Sequence, residues 1–92
     1  MAVTAEEIER GKQFLISKGA KRIILFGSAL HSPEKARDLD IACEGIPPEI
    51  FYAVVGEIGR LLGREVDLVE LSDDTLFTRH VEKYGDVIYD EG

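Results

Sequence analysis

Two aspartates separated by one residue, Asp38 and Asp40, are the first feature of this chain with chemical potential. Alternate side chains of a strand share a face, so Asp38, Asp40 and Ala42 point one way and Leu39, Ile41 and Cys43 the other, toward a core. Two carboxylates two residues apart on one sheet face repel, which is costly unless a cation lies between them. Asp67 breaks the apolar run Val66-Asp67-Leu68-Val69 and takes the face opposite Val66 and Leu68. If its strand neighbours that of Asp40, the three acids form an oxygen-only cluster. Such a cluster suits Mg²⁺ or Mn²⁺, which keep waters and also take phosphate oxygens. Gly27-Ser28 follows a short apolar run. Glycine lets backbone approach a phosphate, and the serine hydroxyl can donate to one of its oxygens. A helical turn starting at Ser28 would add N–H groups to that anion site.

Taken singly these signals are weak. Gly-Ser after a strand is usually a turn, an Asp-x-Asp is usually a solvated strand face, and Asp67 alone says no more. Order and spacing give them weight, and the elements that must hold them are legible. Thr4 and Glu7 form a capping box opening a helix with Ile8, Gly11 and Leu15 on one face, ending near Gly19. Arg22 to Phe26 is a buried strand. Asp38 to Cys43 is the second strand, and Pro47-Pro48 starts a helix carrying Ile50, Val54, Ile58, Leu61 and Leu62, closed by Gly63. Glu65 to Leu71 makes the third strand. Ser72 caps a helix with Asp73 and Asp74 in its first turn and Phe77, Val81 and Tyr84 as its buried stripe. Gly85 ends that helix, and Asp86 to Tyr89 is a last strand. The expected architecture is α/β (α+β), a small mixed sheet of about four strands with helices packed on it, forming one domain over residues 1–92.

That order resembles the nucleotidyltransferases of the DNA polymerase beta superfamily in their smallest form, the minimal nucleotidyltransferase (MNT) domain. Leu25-Phe26-Gly27-Ser28 looks like the family's Gly-Ser signature, Asp38-Leu39-Asp40 its metal-binding pair, and Val66-Asp67-Leu68-Val69 its third acid. Tyr84-Gly85-Asp86-Val87-Ile88-Tyr89 is similar to the way such short chains finish, so the resemblance spans nearly the whole sequence. It implies transfer of a nucleoside monophosphate from a triphosphate, with ATP expected, to a hydroxyl. Asp38, Asp40 and Asp67 would be both metal ligands and catalytic residues, with Asp67 helping to activate the hydroxyl. Gly27 and Ser28 would hold the nucleotide. It also implies an antitoxin-like role beside a helical HEPN-type protein. The chain departs from the pattern in three ways. Nine residues, Ala29 to Arg37, separate Gly-Ser from the acid pair where ten are usual. Ala29 stands where arginine is common, and Arg37 where a small serine is common.

Composition narrows the partners. The chain has 92 residues, 45% hydrophobic, with a formal net charge of −7. A small core leaves room for a partner that buries more apolar surface. No basic run supplies the phosphate contacts that strong nucleic-acid binding needs, which weighs against a metal-dependent nuclease. The polar start and the lack of a ~20-residue apolar run give no signal peptide or membrane span, and one cysteine, Cys43, fits a reducing compartment; a cytoplasmic protein is expected. Cys43 reads as a small core residue, His31 as a solvated loop side chain and His80 as a boundary residue. Gly11, Gly56 and Gly59 inside helices suggest close helix packing. An inactive binding module that neutralises its HEPN partner by complex formation is the alternative to the enzyme. The expected assembly in either case is a hetero-oligomer.

Overall fold

Helix α1 (Ala5–Ser17) begins at the expected capping box: the Thr4 hydroxyl accepts from the Glu7 N–H at 3.1 Å, and the Glu7 carboxylate accepts from the Thr4 N–H at 3.5 Å. The computed structural model describes residues 2–92. After α1 come β1 (Arg22–Phe26), the single-turn α2 (Ser28–His31), β2 (Leu39–Glu44), α3 (Pro48–Leu62), β3 (Val66–Glu70), a 3₁₀ turn (Leu71–Asp73), α4 (Leu76–Tyr84) and β4 (Asp86–Asp90). The four strands form one mixed sheet in the order β3-β2-β1-β4. β1 runs antiparallel to both β2 and β4, while β2 and β3 are parallel. A parallel pair needs a crossover, and α3 provides it.

The sheet carries a core on each face. On one side Ile23, Leu25, Leu39, Ile41, Cys43 and Val66 pack against Leu15 of α1 and Val54, Ile58 and Leu62 of α3. Gly11 lets these two helices close up, since a Cβ there would lie 3.3 Å from Leu62 Cδ1. Gly56 and Gly59 have no such role: an added Cβ would meet only Arg60 and the Arg64 carbonyl. On the other side Ile24, Ala42, Leu71 and Val81 form a smaller cluster, with Phe26 and Val69 against it. Gly85 turns the chain from α4 into β4 where nothing larger fits, because a Cβ would overlap Ile24 and come within 2.7 Å of the Val81 carbonyl. Arg22 ties α4 to the sheet, pairing with Glu44 at 2.9 Å and Glu82 at 3.0 Å.

The last helix departs from the sequence reading. Its N-cap is Thr75, not Ser72, with Thr75 and Thr78 exchanging side-chain and backbone hydrogen bonds at 2.8 and 3.1 Å. Ser72 and Asp73 belong to the 3₁₀ turn instead. The buried stripe is therefore Thr78 and Val81, while Phe77 and Tyr84 stay 51% and 59% exposed. On α3 the expected stripe holds at Val54, Ile58 and Leu62, but Ile50 and Leu61 are exposed. Among the described residues no helix is long and apolar enough to cross a membrane.

Candidate functional site

Strand register does most of the positioning. In β1–β2 pairing Phe26 lies opposite Asp40, and in β2–β3 pairing Asp40 lies opposite Asp67. Phe26, Asp40 and Asp67 thus make one row across the face that α4 partly covers. The apolar partners Leu39, Ile41 and Val66 are drawn into the opposite core, which forces the alternate carboxylates outward. Asp67 is exposed and Asp40 half-buried.

Burial pushes the Asp40 carboxyl above its ordinary range, and the charge of Asp67, a hydrogen bond with Asp67 and the charge of Asp38 push it further. The strand itself starts at Leu39, so Asp38 sits in the bend before it, exposed. The structure therefore brings Asp40 and Asp67 together and leaves Asp38 beside them, near enough for its charge to act on Asp40. Among the described residues no three His, Cys, Asp or Glu side chains converge closely enough to hold a metal ion by themselves. The donor chemistry still fits a hard divalent cation, because Mg²⁺ sites are commonly one or two carboxylates completed by water and substrate phosphates.

Gly27 closes the site from the side of β1. Its backbone has φ 74°, and a Cβ there would overlap the Asp40 carboxylate, so glycine is the residue this approach permits. α2 follows as a tight turn, with the Leu30 and His31 N–H groups both donating to the Gly27 carbonyl at 3.1 and 3.3 Å. Ser28 is exposed at its start. Ala29 is 2% exposed and belongs to the main core. The position faces the core, so a side chain there points away from the open sheet face.

The loop that delivers Asp38 is tied from three sides. Val3 N–H donates to the Pro33 carbonyl at 2.9 Å, and Leu39 N–H to the Glu65 carbonyl at 3.1 Å. The third tie is Arg64, which the sequence reading passed over. Its guanidinium donates to the Arg37 carbonyl at 2.7 Å and the Ala2 carbonyl at 2.9 Å, and grips both Glu7 oxygens at 2.6 and 2.9 Å. That pair is only 8% and 18% exposed, and the grip of Arg64 holds the Glu7 carboxyl below its ordinary range. No local pattern marks Arg64, since its partners lie up to 62 residues away. Lys35 and Arg37 pair with no carboxylate among the described residues.

Beside Gly27 a groove of about 390 Å³ opens between α2 and α4, walled by Phe26, Leu30, His31, Phe77, His80 and Tyr84. His31 and His80, expected as bystanders, both line it. Phe26 and Phe77 meet edge-to-face with centroids 5.7 Å apart, and the His80 and Tyr84 rings lie 4.8 Å apart. Cys43 is the core residue expected, fully buried with its thiol pushed up to about 12 by burial.

No protein-family profile and no curated protein matches the chain. Solved structures do. The toxin–antitoxin MntA–HepT structure matches with a TM-score of 0.74 at 18% identity, over 95% of this chain and 73% of that one. A toxin–antitoxin structure with AMP-PNP matches with a TM-score of 0.74 at 21% identity, over 92% and 72%. A tri-AMPylated Shewanella oneidensis HEPN toxin in complex with MNT antitoxin matches with a TM-score of 0.73 at 19% identity, over 92% and 71%. The fold is that of a minimal nucleotidyltransferase, as the motif order implied.

Proposed function

We propose that this chain is an Mg²⁺-dependent nucleotidyltransferase that moves AMP from ATP to a hydroxyl of a helical HEPN-type partner, as the antitoxin-like half of a cytoplasmic pair. The observation that carries the reading is the Asp40–Asp67 pair, set in register on an open sheet face and closed on one side by Gly27. Two solved relatives in shape support the nucleotide and the acceptor: one holds AMP-PNP, and another joins an MNT antitoxin to a HEPN toxin bearing three AMP groups.

Asp38 and Asp40 would hold the metal, with Asp67 as a third oxygen ligand. When bound, Mg²⁺ offsets the charge of the triphosphate and makes its α-phosphorus open to attack. The Gly27 backbone lies directly against the Asp40 carboxylate, and the Ser28 hydroxyl beside it would donate to a phosphate oxygen. Asp67, the more exposed carboxylate, takes the proton of the attacking hydroxyl. The new bond joins that oxygen to the α-phosphorus, the bond from the α-phosphorus to its bridging oxygen breaks, and pyrophosphate leaves. The hydroxyl must be presented by another molecule bound over the open face, and alignment there supplies much of the rate.

The experiment is intact-mass spectrometry of the chain with the HEPN-type protein encoded beside it, in Mg²⁺ and ATP. The expected result is a mass gain of one or more AMP groups on the partner, lost with Asp40→Asn. A second reading, the binding module, has its own support in the acid trio that does not converge and in the buried Ala29. A tight complex with no adduct would establish it, and two proteins that neither bind nor react would refute both.

A further inference from the structure

We infer that the groove between α2 and α4 seats the base of the nucleotide, a purine ring stacked on Phe77; this rests on the nucleotidyltransferase reading above. The groove and the carboxylate site share a wall. Gly27 lines the groove on one side and abuts the Asp40 carboxylate on the other. Phe26, at the groove floor, is the register neighbour of Asp40. Adjacent strands lie ~4.8 Å apart, so phosphates at Asp40 and Asp67 put the rest of the nucleotide within reach of this opening.

Size and lining agree with a flat, uncharged, aromatic ligand. At about 390 Å³ the groove falls inside the roughly 300–1,000 Å³ range of small-molecule sites. Phe77 is 51% exposed although the buried stripe of its helix is Thr78 and Val81; its ring meets Phe26 edge-to-face and is otherwise half open to the groove. The Tyr84 ring is already faced by Lys83, whose ammonium lies 5.2 Å from its centroid, and by His80. Stacking therefore falls to Phe77, and the His31 and His80 imidazoles, with the Tyr84 hydroxyl, are groups on the rim that can hydrogen-bond a base edge. Charge points the same way. With a net charge of −7 and a buried alanine at position 29, the chain has no cation there to hold a triphosphate. A base–aromatic stack adds affinity that does not depend on charge, roughly tenfold or more.

The test is calorimetric titration of the chain, in Mg²⁺, with ATP and with inorganic tripolyphosphate. ATP is expected to bind at least tenfold tighter, and Phe77→Ala, at a half-exposed position, to remove about that factor for ATP while leaving tripolyphosphate unchanged. Because the chain has no tryptophan, Phe77→Trp adds a second readout: its fluorescence is quenched by ATP and not by tripolyphosphate. Equal affinity for the two ligands, or an ATP affinity indifferent to Phe77→Ala with no quenching of Trp, overturns the base site and leaves the nucleotidyltransferase reading standing. Absence of binding by both ligands refutes that reading and the base site with it.

Discussion

Asp40 stands partly out of water beside a second carboxylate, and both conditions penalise its charge. Its folded pKa lies above the ordinary 3.8, so the folded protein holds this proton more tightly than the unfolded chain does. The resulting stability is complete below 3.8 and is lost as pH rises through the raised value. Thermal melts in chelator should therefore show Asp40→Asn melting higher than the parent near neutral pH, the advantage shrinking in acid, while nucleotidyl transfer disappears. A variant that melts well below the parent would mark Asp40 as a structural residue. Ala29 behaves oppositely. Ala29→Arg places an unpaired cation in a core position and should cost about 2 kcal/mol or more by urea denaturation, with no gain in ATP affinity. The acid pair was legible in the sequence because strand alternation and an interrupted apolar run fix which face Asp40 and Asp67 take. The inward turn of Ala29 was not, because a helix of four residues is too short to show a periodicity.

Elements are held in place by long-range ties that local pattern does not encode, and Arg64 is the clearest. It joins the turn after α3 to α1 through Glu7 and to the loop before Asp38 through the Arg37 carbonyl. Arg64→Ala should cost about 2–3 kcal/mol, below the full cost of breaking a buried pair because the Glu7 carboxylate keeps some access to water. The pH dependence separates this tie from Asp40. Glu7 has a folded pKa below 4.5, so its contribution is present above 4.5 and lost as pH falls through the lowered value. Arg64→Ala should shrink that acid limb in urea melts, leaving the smaller part due to the Thr4 hydrogen bonds. Transfer should also fall in the variant at temperatures where it remains folded, since Asp38 is no longer held; unchanged transfer would make Arg64 purely a fold residue. Caps show the same limit of local reading. Ser72, Asp73, Asp74 and Thr75 are four consecutive residues able to cap a helix, and the choice fell on Thr75 because Leu71 is buried and the Glu70 side chain accepts from the Ser72 N–H, closing a 3₁₀ turn first. With Thr78 and Val81 on the buried face of α4, Phe77 and Tyr84 line the groove instead of the core.

At the scale of the whole molecule, charge decides how a partner is met. The chain carries 18 acidic against 11 basic side chains, and its acidic site face adds to a field that repels anions and attracts a basic surface. A HEPN-type partner that presents its hydroxyl from such a surface would be steered to this face before any short-range fit is made. Steering acts on encounter, so salt should lower the association rate and leave dissociation nearly unchanged. Raising salt from about 0.01 to about 1 M shortens the screening length from ~30 to ~3 Å and should slow association roughly tenfold or more. Stopped-flow or surface-binding kinetics of the pair across that range would measure both rates. Apolar side chains left exposed at Leu76 and Tyr84 of α4 and Val87 of β4 supply a surface whose grip salt does not weaken. The pair is therefore expected to keep its residence time at high salt while meeting more slowly. An association rate indifferent to salt would mean that the negative charge plays no part in finding the partner. A dissociation rate that rose steeply with salt would mean that the bound complex is itself held by exposed ion pairs rather than by this apolar edge.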